Sequence, residues 1–237
     1  MAETIYWIGD STVQTNRMDT YPQCGMGQVL ELFLRPEVRV CNHAKNGRST
    51  LSFQAEGRFE PVEQQMSPGD FLLIQFGHND EKTEKPLCGV SPEQYAENLL
   101  AYARSAQRHG AQPVLITPLV RRKFENGLLL PTHTAYAEAA RALSEREHLA
   151  LIDLTAASRN LVQTAGEVVS RKFYMNFGPG QYPLYPDGMC DDTHLRYEGA
   201  VQFDALVAEG LLHLGGVYAR LLLPEWVEQQ RMKNKVK

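Results

Sequence analysis

Four short stretches of this 237-residue chain carry residue types that can do chemistry together. The first is Gly9-Asp10-Ser11, at the end of an apolar run. A serine hydroxyl is a weak nucleophile unless a base takes its proton and a third group orients that base. Taken alone, Ser11 reads as a helix N-cap, a place where serine is favoured. The base has to come from elsewhere, and Asp191-Asp192-Thr193-His194 supplies one. Asp191 stands three residues before His194. Its carboxylate can accept from the imidazole Nδ1–H and so leave Nε2 facing a serine. The bland account of the same stretch is a helix entry capped by Asp or Thr.

The other two stretches offer hydrogen-bond donors. Gly47, in NHAKNGRST, permits a positive φ and a close approach of backbone to ligand, or serves only as a tight turn. Asn79, in QFGHND, can aim its amide at a developing oxyanion, or can close an Asx-turn on its own backbone. A metal reading would use His78, Asp80, Asp192 and His194. No helical H-x-x-x-H and no paired cysteines support it, so no metal is expected.

These residues need a frame that brings them to one place. Apolar runs at 4–10, 38–44, 70–77, 112–119 and 149–154 are rich in β-branched residues and lack a clean in/out alternation. Strands covered on both faces of a parallel sheet look like that. Helical patterns lie between them. Residues 91–110 open with Ser91 as N-cap, Pro92 at the first helical position and Gln94 as the capping-box partner. Residues 131–148 and 196–215 form two more helices, the second with Ala200, Val201, Phe203, Leu206, Val207 and Leu211 on one stripe. Strand–helix alternation predicts one α/β domain over 1–237, with a parallel sheet and helices on both faces. Segment 166–195, dense in Gly, Pro, Tyr and Asp, reads as a long functional loop. The tail from about 225 to 237 is expected to be peripheral, and its charged end EQQRMKNKVK (228–237) frayed.

In such a sheet, ligands bind outside the carboxyl ends of the strands. Ser11, Gly47 and Asn79 follow the first three strands in order, and His194 enters the last helix.

Composition excludes several classes. The formal net charge is -4, so no overall basic field is present to hold nucleic acid. No apolar run has the length of a membrane span. The start, MAETIYWIGD, has no basic stretch followed by an apolar core, so a cytoplasmic enzyme is expected. The four cysteines form no C-x-x-C pair and read as free buried thiols.

Taken together, GDST at 9–12, Gly47 in NGRS, GHND at 77–80 and DDTH at 191–194 resemble the four blocks of the SGNH (GDSL-type) hydrolase superfamily. Further pieces, GRST, QFGHND, TPLVRRKFENG and YPDGMCDDTHLRYEGA, resemble its rhamnogalacturonan acetylesterase branch. The resemblance implies a three-layer αβα sandwich with a five-stranded parallel sheet and no metal or organic cofactor. It also implies that Ser11 is the nucleophile, His194 the general base and acid, and Asp191 its orienting partner. The D-x-x-H spacing selects Asp191 over Asp192. The oxyanion hole would be the Ser11 and Gly47 N–H groups with the Asn79 side chain. The function implied is removal of acetyl groups from pectic oligosaccharides. The alternatives are an acetylxylan or other small-acyl esterase of the same superfamily, or a non-catalytic carbohydrate-binding protein on the same fold. A flavodoxin-like nucleotide binder is disfavoured because G-x-G-x-x-G is missing after the first strand.

Galacturonate in such a substrate carries carboxylates, which arginine binds with paired hydrogen bonds. Arg48, beside Gly47, and Arg121 and Arg122, after the fourth strand, are the candidates, with Lys123 beside them. The RRK run reads equally as a solvated patch. His133 lines the site or merely starts a helix, and Tyr182 and Tyr185 stack on sugar rings or pack.

Overall fold

The computed structural model describes residues 3–235. Five strands form a parallel sheet: β1 (Thr4–Gly9), β2 (Arg39–Asn42), β3 (Phe71–Gln75), β4 (Gln112–Ile116) and, after two short strands, β7 (Ala150–Ile152). Their order is β2-β1-β3-β4-β7, and every neighbouring pair is parallel. The short strands β5 (Phe124–Glu125) and β6 (Leu128–Leu129) make a small antiparallel hairpin outside the sheet.

Helices cover both faces, as the largely apolar central strands require. On one face Tyr6, Ile8, Leu72, Ile74 and Leu115 pack under α1 (Thr50–Ala55), α2 (Glu60–Gln65), α3 (Pro92–Arg108) and α4 (Thr134–Glu147). On the other, Ile5, Trp7, Phe71, Leu73, Val114 and Ile116 pack under α5 (Leu154–Ser170) and α6 (Tyr197–Leu214). The fold is therefore a three-layer αβα sandwich. Ser91 caps α3 by accepting from Gln94 N–H at 3.3 Å. The Gln94 side chain turns forward instead, donating to Asn98 Oδ1 at 2.9 Å, so the expected reciprocal capping box is not made.

Three segments differ from expectation. Residues 154–170 form helix α5, whose N-terminus is capped by Asp153 Oδ1 accepting from Ala156 N–H at 3.1 Å. The expected loop at 166–195 is only partly a loop. It contains an antiparallel pair, β8 (Tyr174–Phe177) and β9 (Met189–Leu195), anchored by fully buried Tyr174. The tail is a short helix, α7 (Gly216–Ala219), followed by α8 (Pro224–Lys235). Helix α8 runs through 228–235 of the stretch expected to fray, residues 236–237 lying outside those described, and Trp226 near its start packs against Phe33 with ring centroids 5.8 Å apart. Among the described residues, no helix is long and apolar enough to cross a membrane. All four cysteines are free, but only Cys24 is buried.

The order in which strands are added reverses between β1 and β3: after β1 the chain builds β2 on one side and then crosses to the other. The crevice outside the carboxyl ends of those two strands is where such sheets place ligands. Ser11 follows β1 and Asn79 follows β3, so both lie at that point.

Candidate active site

The turn after β1 is built to hold Ser11. Val13 and Gln14 N–H groups donate to the Asp10 carbonyl at 3.2 and 3.1 Å. The Asp10 carboxylate, fully buried, accepts from Thr12 N–H and Oγ–H, each at 2.9 Å. Burial opposes charge on Asp10, but His78 and the Thr12 donors outweigh it and hold the carboxyl below its ordinary range. His78 Nδ1 lies 3.2 Å from Asp10 Oδ2. Burial first, then the neighbouring His133, pushes His78 down to about 4, so at neutral pH it is an uncharged Nδ1–H donor to Asp10.

His194 reaches Ser11 because β9 is not a regular strand. Tyr174 pairs with Leu195 while Met175 pairs with Asp191, so residues 192–194 bulge out of the ladder. Bulges of this kind re-aim side chains next to sites. His194 Nε2 lies 2.9 Å from Ser11 Oγ, and His194 Nδ1 lies 2.6 Å from Asp191 Oδ2. Asp191 Oδ1 accepts from Thr193 and His194 N–H at 2.8 and 3.0 Å, which fixes the carboxylate. Burial raises the Asp191 pKa, but the His194 hydrogen bond and charge and the two backbone donors prevail and lower it. Asp191 is thus an anion aligned on Nδ1–H, leaving the Nε2 lone pair for the serine proton.

The second and third loops close in beside Ser11. Lys45 N–H donates to the Gly9 carbonyl at 2.9 Å, tying the loop after β2 to the end of β1. Gly47 there has φ 77°, a left-handed backbone that favours glycine. Asn79, almost wholly buried, donates from Nδ2 to the Arg48 carbonyl at 3.0 Å and accepts at Oδ1 from Lys82 Nζ at 2.7 Å. Lys82 therefore sets the amide orientation, and the second Nδ2 hydrogen has no acceptor among the described residues. The neighbouring Asp80 turns away into the core toward Thr50.

The cations expected to meet substrate have other partners. Arg48 Nε donates to Glu56 Oε1 and Oε2 at 3.1 and 3.0 Å, holding the guanidinium on α1. Arg122, with its guanidinium buried, donates to Asp192 Oδ1 at 2.8 Å and to Ser170 Oγ at 3.1 Å. Arg121 pairs with Glu81 Oε1 at 3.0 Å and donates to the Thr193 hydroxyl. His133 is buried, with Nδ1 on Glu81 Oε2 at 2.8 Å and its ring 4.3 Å from that of His78. It precedes α4 with φ 59° and does not cap that helix with its side chain. Each of these four already has a partner within the fold. All but Arg48 brace the walls of the site. Tyr182 and Tyr185 pack edge-on against Phe177, at 4.6 and 5.5 Å between ring centroids.

The four groups of the metal reading do not converge. His78 serves Asp10, Asp80 serves Thr50, Asp192 serves Arg122, and His194 serves Ser11 and Asp191. Glu81, which joins Arg121 and His133, escaped the sequence reading, because its role appears only once residues 81, 121 and 133 are adjacent in space.

Comparison with known proteins finds relatives that span most of this chain. The rhamnogalacturonan acetylesterase RhgT of Bacillus subtilis is 39% identical over 213 residues, 89% of this chain and 90% of that protein. The probable rhamnogalacturonan acetylesterase YesY of the same organism is 37% identical, over 91% of this chain and 95% of its own length. Among solved structures, protein YxiM of Bacillus subtilis superposes with a TM-score of 0.78 at 27% identity. The match covers 91% of this chain but only 57% of that longer one. With the family profile matching residues 7–201, the chain belongs to the GDSL-like lipase/acylhydrolase family.

Proposed function

We propose that this protein is a serine esterase that removes acetyl groups from pectic oligosaccharides through an acetyl-serine intermediate. The alignment of Ser11, His194 and Asp191, with gaps of 2.9 and 2.6 Å, carries the reading. Ser11 Oγ attacks the acetyl carbonyl as His194 Nε2 takes its proton, and the carbonyl π electrons move onto oxygen. The oxyanion is received by the Ser11 and Gly47 N–H groups and the second Asn79 Nδ2 hydrogen. Such donors act most strongly where they are fixed before charge develops. Collapse of the tetrahedral adduct breaks the bond to the sugar oxygen, which leaves as alcohol with the His194 proton. Water, deprotonated by His194, then attacks the acetyl-serine. Acetate leaves, and the proton returns to Ser11 Oγ.

The pectic substrate rests on the two Bacillus relatives, whose names specify rhamnogalacturonan and which cover nearly the whole chain. The test is acetate release from a panel of acetylated rhamnogalacturonan and xylan oligomers, with Ser11→Ala as the blank. Faster release from the pectic oligomers is expected. Preference for xylan oligomers would reassign the substrate, and release undiminished in Ser11→Ala would remove the nucleophile.

A further inference from the structure

We infer that a polar cavity beside the nucleophile turn is the subsite for an acidic sugar, with Arg17 and Lys45 receiving the carboxylate; this rests on the esterase reading above. The cavity has a volume of about 300 Å³, at the small end of ligand pockets, and its wall includes Gln14, Asn16, Arg17, Asp19, Asn42 and Lys45. One wall is the chain that continues from Ser11, and the other is the loop that leads to Gly47.

Backbone contacts fix those walls to the reaction centre. Lys45 N–H donates to the Gly9 carbonyl at 2.9 Å, two residues before Ser11. Gln14 Oε1 accepts from Asn46 N–H at 2.6 Å, one residue before Gly47. Asn42 Nδ2 donates to the Val13 carbonyl at 2.8 Å and to Thr15 Oγ1 at 2.9 Å. The cavity floor is thus held by hydrogen bonds between the same two loops that carry the nucleophile and a proposed oxyanion donor. At the outer end, Tyr185 Oη donates to the Thr20 carbonyl at 3.4 Å, bringing the late loop against the wall.

The polar groups left over suit a sugar acid. Arg17 and Lys45 are exposed, and neither forms an ion pair within 4.0 Å among the described residues, whereas Arg48, Arg121 and Arg122 all do. Gln14 Nε2 has no acceptor and Asn16 Oδ1 no donor among the described residues, so both are available to ring hydroxyls. Asp19 shares the wall, so the cavity carries a modest positive excess and a further acceptor for hydroxyls. Arginine offers a planar fork to a carboxylate and lysine a mobile point charge. Both can be used without breaking a bond within the fold.

The experiment uses two readouts on the full chain and on the Arg17→Ala/Lys45→Ala double variant. The first is the ratio of kcat/KM for acetylated galacturonate-containing oligomers to that for acetylated xylo-oligomers. It is expected to fall at least about tenfold in the double variant, roughly 1.4 kcal/mol of discrimination. The second is calorimetric binding of unacetylated rhamnose–galacturonate oligomers, which needs no hydrolysis. Affinity is expected to weaken at least about tenfold and to lose most of its salt dependence. An unchanged ratio and an unchanged affinity would overturn the subsite while leaving the esterase intact. Absence of any acetate release from wild type, with binding still weakened in the variant, would overturn the esterase reading and keep the subsite.

Discussion

Arg122 and Asp192 form an ion pair, Nη1 to Oδ1 at 2.8 Å, in which the guanidinium is almost wholly buried. Asn176 Nδ2 also donates to the same carboxylate oxygen. The pair separates the two adjacent aspartates into different tasks: Asp191 faces His194, and Asp192 anchors the bulge to the segment after β4. The first prediction follows. Asp191→Asn should keep the fold and lower kcat on the order of 10⁴-fold, because the wrong tautomer is presented to Ser11. Asp192→Ala should instead destabilise the protein by about 1–3 kcal/mol, because the buried guanidinium loses its carboxylate partner while keeping Ser170 and the Glu167 carbonyl. Steady-state kinetics with thermal melts of both variants checks this; equal kinetic losses at the two positions would refute the division.

Asn79 provides the second prediction. Its amide is oriented from both ends, by Lys82 on the oxygen and the Arg48 carbonyl on the nitrogen. Asn79→Ala should cut kcat on the order of a hundredfold or more, as loss of one preorganised oxyanion donor commonly does. Melting temperature should fall only slightly. Turnover near wild type would remove Asn79 from the oxyanion hole.

The third prediction concerns Glu81, which receives Arg121 on one carboxylate oxygen and His133 on the other, at 3.0 and 2.8 Å. Burial raises its pKa, but His133 and Arg121 more than compensate and bring it to about 2, so it is ionised at every working pH. Arg121 in turn donates to the hydroxyl of Thr193, between Asp191 and His194. Glu81→Gln should therefore loosen the His194 bulge and lower kcat on the order of tenfold to a hundredfold, since small misplacements of reacting groups are costly. KM for a small acetyl ester should hold. A variant with raised KM and unchanged kcat would show that Glu81 acts on substrate and not on His194.

The sheet was legible because β1 and β3 are mostly apolar and buried on both faces. Helix α3 was legible because Ser91 and Pro92 mark its start. Helix α5 was not, since it follows β7 directly and Gly166 interrupts it with φ 74°. The β8–β9 pair was hidden by the Gly- and Pro-rich segment between its strands, and a register bulge leaves no trace in residue types. In the site, Ser11, Asp191, His194 and Asn79 were legible as local motifs. The fate of the arginines was not. Arg121 meets Glu81 from 40 residues away, and Arg122 meets Asp192 from 70. Pairing over such separations depends on how loops return over the sheet, which residue types alone do not state.

Asp80 supports the last prediction, on stability against pH. It is fully buried; Oδ1 accepts from Thr50 N–H at 2.9 Å and from the Thr50 hydroxyl, while Oδ2 has no partner among the described residues. Burial outweighs those two donors and pushes the carboxyl up to about 7. In the unfolded chain the group ionises near its ordinary value, so between the two values the native state binds the extra proton. The contribution is therefore most favourable below the unfolded value and is lost as pH rises toward neutrality, where a charge is buried. Asp80→Asn keeps the acceptor for Thr50 and removes that charge. The melting temperature of the variant relative to wild type should rise between about pH 5 and about pH 8. A difference that stays constant or shrinks over that range would mean that Asp80 is ionised in the native state throughout.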